Sequence, residues 1–192
     1  MKYTRTSDSA SEPVDSDTVK AELRITDTRF DAVLPRLIKQ ARRRAEFLTG
    51  RALLTQTWVG RMDGFPCEIC VPVVPIIAVS SITYYDTSNA LQTLSSSAYD
   101  TDLTGLEGRI VPAAGYTWPG TYPRLNAVAL TWTAGYANAA AIPEPIIGWM
   151  IMTIDAYLEN YHGAVGTSGG GPEIQPNPFL DRLLDEYCVV RV

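Results

Sequence analysis

Apolar residues recur at helical spacing in two stretches of this chain and alternate at strand spacing between them. From about Thr28 to Thr49, the positions Phe30, Val33, Leu34, Leu37, Ile38, Ala41, Ala45 and Leu48 fall on one helical face. Arg36, Lys39, Arg43 and Glu46 are left outside that face, so the spacing predicts an amphipathic helix. Thr28 and Asp31 stand at capping-box spacing, and Gly50 supplies a stop. Pro35 inside the run implies a kink or a later start, because its ring removes a backbone donor. A shorter helix, DTVKAELRI, is expected ahead of it, capped by Ser16 or Asp17. The second long helix is PEPIIGWMIMTIDAYLENYHG, entered through Pro143 and Pro145. Its apolar face (Ile146, Ile147, Met150, Ile151, Ile154, Tyr157, Leu158) is broad enough to imply contact on more than one side.

Between about Leu53 and Thr133 the pattern shortens to β-branched and aromatic runs broken by Gly, Pro, Asn and Asp. LLTQTWVGRM, EICVPV, AVSSITYYD, AYDTD, GRIVPA and AVALTWTAGY read as strands, with DTSNAL as a hairpin turn. In the last run Ala127, Ala129, Thr131 and Thr133 alternate with Val128, Leu130, Trp132 and Ala134, the signature of a two-faced strand. The expected fold is α+β: a helical body of two long helices with an inserted antiparallel β segment over about 53–134 and a C-terminal extension helix. Residues 1–16 read as a flexible N-terminal arm, 17–162 as the main domain, 163–177 as a Gly/Pro linker and 178–192 as a C-terminal segment. That last segment, PFLDRLLDEYCVV, lines Phe179, Leu180, Leu183, Leu184 and Tyr187 along one stripe. Such a tethered amphipathic helix either folds back on its own core or docks into a groove on a partner.

Composition narrows the function classes. The chain has 192 residues, 46% of them hydrophobic, and a formal net charge of -5. That length suits one domain with extensions. No stretch has the apolar length of a membrane span, and the polar opening Lys2, Tyr3, Thr4, Arg5, with no apolar run behind it, is not expected to act as a signal peptide. The acidic balance disfavours a general nucleic-acid binder. Residues 25–51 nevertheless carry seven basic and three acidic side chains, whereas 143–192 carry two basic and seven acidic ones. This polarity suits head-to-tail contact between identical subunits as much as it suits an outside partner. The three cysteines, Cys67, Cys70 and Cys188, make no even disulfide framework and are expected to be reduced.

Candidate chemistry is sparse. Cys67 and Cys70 form a C-x-x-C pair, but Val-Pro-Val-Val-Pro follows, so no helix N-terminus is available to activate the thiol. Cys67, Cys70, Cys188 and His162 would make a four-ligand zinc set, yet a second closely spaced pair is missing. His162, the one histidine, ends the second long helix, where it reads as a C-terminal cation. Asp100, Asp102, Glu144 and Asp155 read as turn residues and solvated faces, and the run GTSGGGP reads as linker. No catalytic, metal-binding or cofactor-binding residue is expected. The cluster Arg36, Lys39, Arg42, Arg43 and Arg44 spans more than half the helix circumference, so part of it must face solvent, a neighbouring subunit or a channel. A DNA-binding packaging factor acting through this helix is the alternative reading.

In order along the chain stand VKAELRI, ARRRAEFLTGRALLTQTW, RMDGFP, VPVVPIIAVSSITYYD, GRIVP, LTWTAGY with PEPIIGWMIM, and YCVVRV. With this series the chain resembles the head-tail connector proteins of tailed phages and gene transfer agents, also called adaptor or head-completion proteins. The resemblance spans about residues 18–192. It implies a structural virion protein, not an enzyme and without cofactor, made in the cytoplasm of a bacterial host and located in the neck. It further implies a homo-dodecameric ring between the portal protein and a tail-proximal neck or stopper protein, away from any membrane. DNA would pass through the ring's channel without sequence-specific binding. In similar proteins the C-terminal segment reaches the portal, which gives Phe179, Leu180, Leu183, Leu184 and Tyr187 a portal-docking role.

Overall fold

The computed structural model describes residues 1–105, 107–163 and 182–189. The chain divides into two compact units, each built from two separate stretches of sequence. A sheet unit takes Met1–Ala10 and Leu54–Ala137, and a helical unit takes Ser11–Leu53 and Asn138–Val192.

The sheet unit contains two antiparallel sheets. Strands β1 (Lys2–Ser7), β2 (Gln56–Met62), β4 (Ile76–Tyr85), β5 (Leu91–Thr93) and β8 (Val128–Ala134) form one, in the order β1-β2-β8-β4-β5. Strands β3 (Ile69–Val71), β6 (Tyr99–Asp102) and β7 (Gly108–Pro112) form the other, in the order β3-β7-β6. The period-2 pattern of β8 sets its register: Val128, Leu130, Trp132 and Ala134 are buried while Ala129, Thr131 and Thr133 are half-exposed. Trp132 pairs with Trp58 across β2, their rings lie nearly parallel with centroids 6.5 Å apart, and Tyr3 of β1 meets Trp58 edge-on at 5.9 Å. Ile69, Val71, Ile82 and Ile110 complete the core. Gly135 ends β8 at φ 127°, and a Cβ there would lie 2.1 Å from the Leu54 carbonyl oxygen, so no other residue fits.

The helical unit holds α1 (Ser16–Glu22), α2 (Leu34–Thr49) and α3 (Glu144–Gly163). Asp15 caps α1, its carboxylate accepting the Thr18 N–H at 2.6 Å, and that bond holds its pKa below the usual carboxylate value. Pro35 sits in the first turn of α2, where its missing N–H costs nothing, and Gly50 closes the helix at φ 69°. Leu34, Leu37, Ile38, Ala41 and Ala45 bury one face of α2, and α2 packs against α3 through the latter's Ile146, Trp149, Met150, Ile154 and Leu158 side.

Several expectations need correction. The body is not two long helices with an inserted strand segment: among the described residues there are eight strands in two sheets against three α-helices. The sheet gains its extra strand from residues read as a loose arm. Lys2–Ser7 has too few apolar positions to register as a strand, but it is fixed by pairing along β2, from Lys2 opposite Arg61 to Ser7 opposite Thr57. Residues 28–33, expected within the long helix, form turns instead, because Pro35 can only be accommodated at the start of α2. The cap of α1 is Asp15, one residue before those expected. Of the expected final helix only the end lies among the described residues: Arg182 is helical, a turn follows at Leu183 and Leu184, and a 3-10 turn spans Asp185–Tyr187. Phe179, Leu180 and residues 164–177 of the expected linker lie outside the described residues.

Candidate functional site

The candidate site is the surface of the helical unit, where the basic cluster of α2 lies. The basic cluster on α2 divides by burial. Arg36, Lys39 and Arg44 are exposed and Arg43 is half-buried, whereas Arg42 is fully buried. Its guanidinium meets Glu12 in a two-pronged ion pair, Nε to Oε2 at 2.6 Å and Nη2 to Oε1 at 3.2 Å, and reaches Glu46 at 3.3 Å. Glu46 also accepts the Leu53 N–H at 3.3 Å. Arg42 thus ties the segment before α1 to both ends of this corner of the fold, and its charge does not reach the surface patch. Sequence reasoning placed Arg42 in that patch and did not identify Glu12 as its partner, since thirty residues separate them.

Phe47 also escaped the sequence reading. It is 76% exposed at the end of the same helical stripe, with the Arg44 guanidinium 5.7 Å from its ring centre. Its spacing from Arg36 and Arg43 would have placed it on the polar side.

The C-terminal residues lie against α2 of their own unit. Leu184 is 1% exposed, while Leu183 and Tyr187 are half-buried. The Val189 N–H donates to the Thr49 carbonyl at 2.8 Å, Arg51 Nε donates to the Tyr187 carbonyl at 2.7 Å, and the Cys188 thiol lies 3.4 Å from the Leu48 carbonyl. Burial raises the Cys188 thiol pKa.

The remaining candidates are separate. Cys67 and Cys70 are exposed and free, and Cys70 has its pKa raised by burial and by Glu68, whose carboxylate forms an ion pair with Arg109. A thiol raised in this way is a poor nucleophile. Among the described residues no three His, Cys, Asp or Glu side chains are grouped as metal ligands, and the His162 side chain lies outside them. Asp102 accepts from the Thr104 N–H and hydroxyl in a turn, while Asp100 sits beside it on β6, and Glu144 and Asp155 are exposed on α3. At one end of the large sheet a cleft of about 470 Å³ is lined by Met1, Lys2, Arg61, Asp63, Leu125 and Asn126 among others. No described helix is long and apolar enough to cross a membrane.

The class this architecture defines emerges from whole-fold comparison. The chain is similar in fold to a chain from the neck of an empty gene transfer agent particle computed with C6 symmetry, at TM-score 0.73 and 17% identity. It is also similar to one from the virion of a native gene transfer agent particle, at 0.75 and 18%, and to one from a native neck computed with C12 symmetry, at 0.69 and 19%. Each match covers 100% of this chain and 97% of the other. No protein-family pattern and no curated protein matches the chain in sequence.

Proposed function

We propose that this protein is a structural neck subunit of a gene transfer agent or tailed phage, forming a ring that joins the portal to the tail and continues the DNA channel. The observation that supports this reading is the end-to-end similarity in fold to chains of gene transfer agent necks, which covers 100% of this chain. The surface chemistry supports it. Exposed cationic and apolar groups, Arg36, Lys39, Arg44 and Phe47, lie together on α2. In this reading the partners are further copies of the chain, the portal protein and a tail-proximal neck protein, with DNA passing through unread.

The portal-docking role of the C-terminal stripe is part of the proposal. Leu183, Leu184 and Tyr187 rest on α2 of their own unit, so reaching a portal requires the segment to leave that seat. Electron microscopy of particles from a strain lacking this chain tests the function. The expected result is filled heads without attached tails, restored by supplying the chain. Necks that assemble normally without it would overturn the reading.

A further inference from the structure

Two largely exposed stripes on the helical unit carry opposite charge. On α2, Arg36, Gln40, Arg43 and Phe47 follow one another at spacings of four, three and four residues, flanked by Lys39 and Arg44. On α3, Glu144, Gly148, Met152, Asp155 and Glu159 follow at spacings of four, four, three and four. Met152 is 46% exposed, Glu144, Asp155 and Glu159 are exposed, and a Cβ on Gly148 would meet nothing within 4 Å. The α3 stripe is therefore acidic, with a notch at Gly148 and an apolar step at Met152. The α2 stripe is basic, with one large apolar side chain projecting from its end.

Eleven residues separate Arg36 from Phe47, and eleven separate Gly148 from Glu159, about 16 Å of helix in each case. Only the antiparallel alignment gives Phe47 an uncharged seat: it brings Phe47 over Gly148, Gln40 opposite Asp155 and Arg36 opposite Glu159, with Arg44 one turn from Asp155. The parallel alignment pairs Arg43 with Asp155 but sets the exposed Phe47 ring against the Glu159 carboxylate. Within one subunit the two stripes cannot meet, because each is the exposed side of its helix, so the complementary surface belongs to another copy.

We propose that the α2 stripe of one copy packs antiparallel on the α3 stripe of the next, with Phe47 seated in the Gly148 notch. The two patches differ, so the contact is heterologous and leaves one free patch at each end until the ring closes. Isolated surface ion pairs contribute little, so the apolar Phe47 seat supplies adhesion while the charges fix direction and register. The inference rests on the reading of the chain as a ring-forming neck subunit.

The test replaces Cys67, Cys70 and Cys188 by serine and introduces Gln40→Cys with Asp155→Cys, positions that face each other in this register and leave Phe47 and Gly148 in place. Oxidised assemblies run on a denaturing gel should give a ladder of covalent multimers, whereas Gln40→Cys alone should give none beyond a dimer. In parallel, Arg36→Glu should lower the ring fraction at least tenfold by electron microscopy, and Glu159→Arg in the same chain should restore it. Rings that persist with only monomers on the gel and no response to charge reversal would overturn this contact while leaving the ring reading intact. Absence of rings from the unaltered chain, in particles as well as alone, would overturn both.

Discussion

The sheet unit and the helical unit keep their shape by different means. In the sheet unit, long-range pairing positions residues with little packing value of their own: Lys2–Ser7 is a strand only because β2 lies beside it. In the helical unit, local signals define α1 and α2, and their placement then depends on a few buried anchors, above all Arg42 with Glu12 and Leu184 near the C-terminus. One unit spreads its stability along a ladder, and the other concentrates it at points. Point mutations should therefore act more sharply in the helical unit, except where the sheet has no backbone freedom.

The largest effect should come from Arg42→Ala, which strands Glu12 and Glu46 without their cation and should cost about 3–5 kcal/mol by chemical denaturation. Leu184→Ala should follow at about 2–4 kcal/mol, since its side chain is fully enclosed. An unchanged denaturation midpoint in that variant would show that the C-terminal segment contributes nothing to its own unit. The sheet's rigid point is Gly135→Ala, expected to cost about 1–3 kcal/mol through its positive φ and the crowding against Leu54. Smaller still is a difference in thiol reactivity. Cys70 and Cys188 have raised pKa values and so hold less thiolate at any mildly alkaline pH, and both should alkylate more slowly than an unstructured peptide thiol, as mass spectrometry of timed reactions can follow. The smallest is Arg109→Ala, which breaks only an exposed pair with Glu68 and should leave the midpoint where it was.

The same contrast governs what the sequence made legible. Strands β2, β4, β7 and β8 and helices α2 and α3 were readable because alternation or helical periodicity runs through them. β1 was not, because its half-buried positions are Tyr3 and Arg5 and so leave no apolar alternation in the sequence, and its partner lies some fifty residues away. Pro35 made the start of α2 ambiguous until tertiary packing placed it in the first turn. On the candidate surface, the exposed charge of Arg36, Lys39 and Arg44 was visible as a cluster. The burial of Arg42 was not, since a buried guanidinium and an exposed one share the same local sequence and differ only in a distant glutamate. Phe47 shows the converse: it stands four residues after Arg43, off the apolar face, and its exposure follows from that angular position on the helix.

β2 lies between β1, which precedes it by about fifty residues, and β8, which follows it by about seventy. Helices α1 and α2 are encoded inside the first of these gaps. No contiguous fragment of the gene can therefore encode the complete sheet without also encoding those helices. The ribosome must release most of the polypeptide before β2 has both of its neighbours, so the sheet should be among the last parts of a nascent subunit to become protease-resistant.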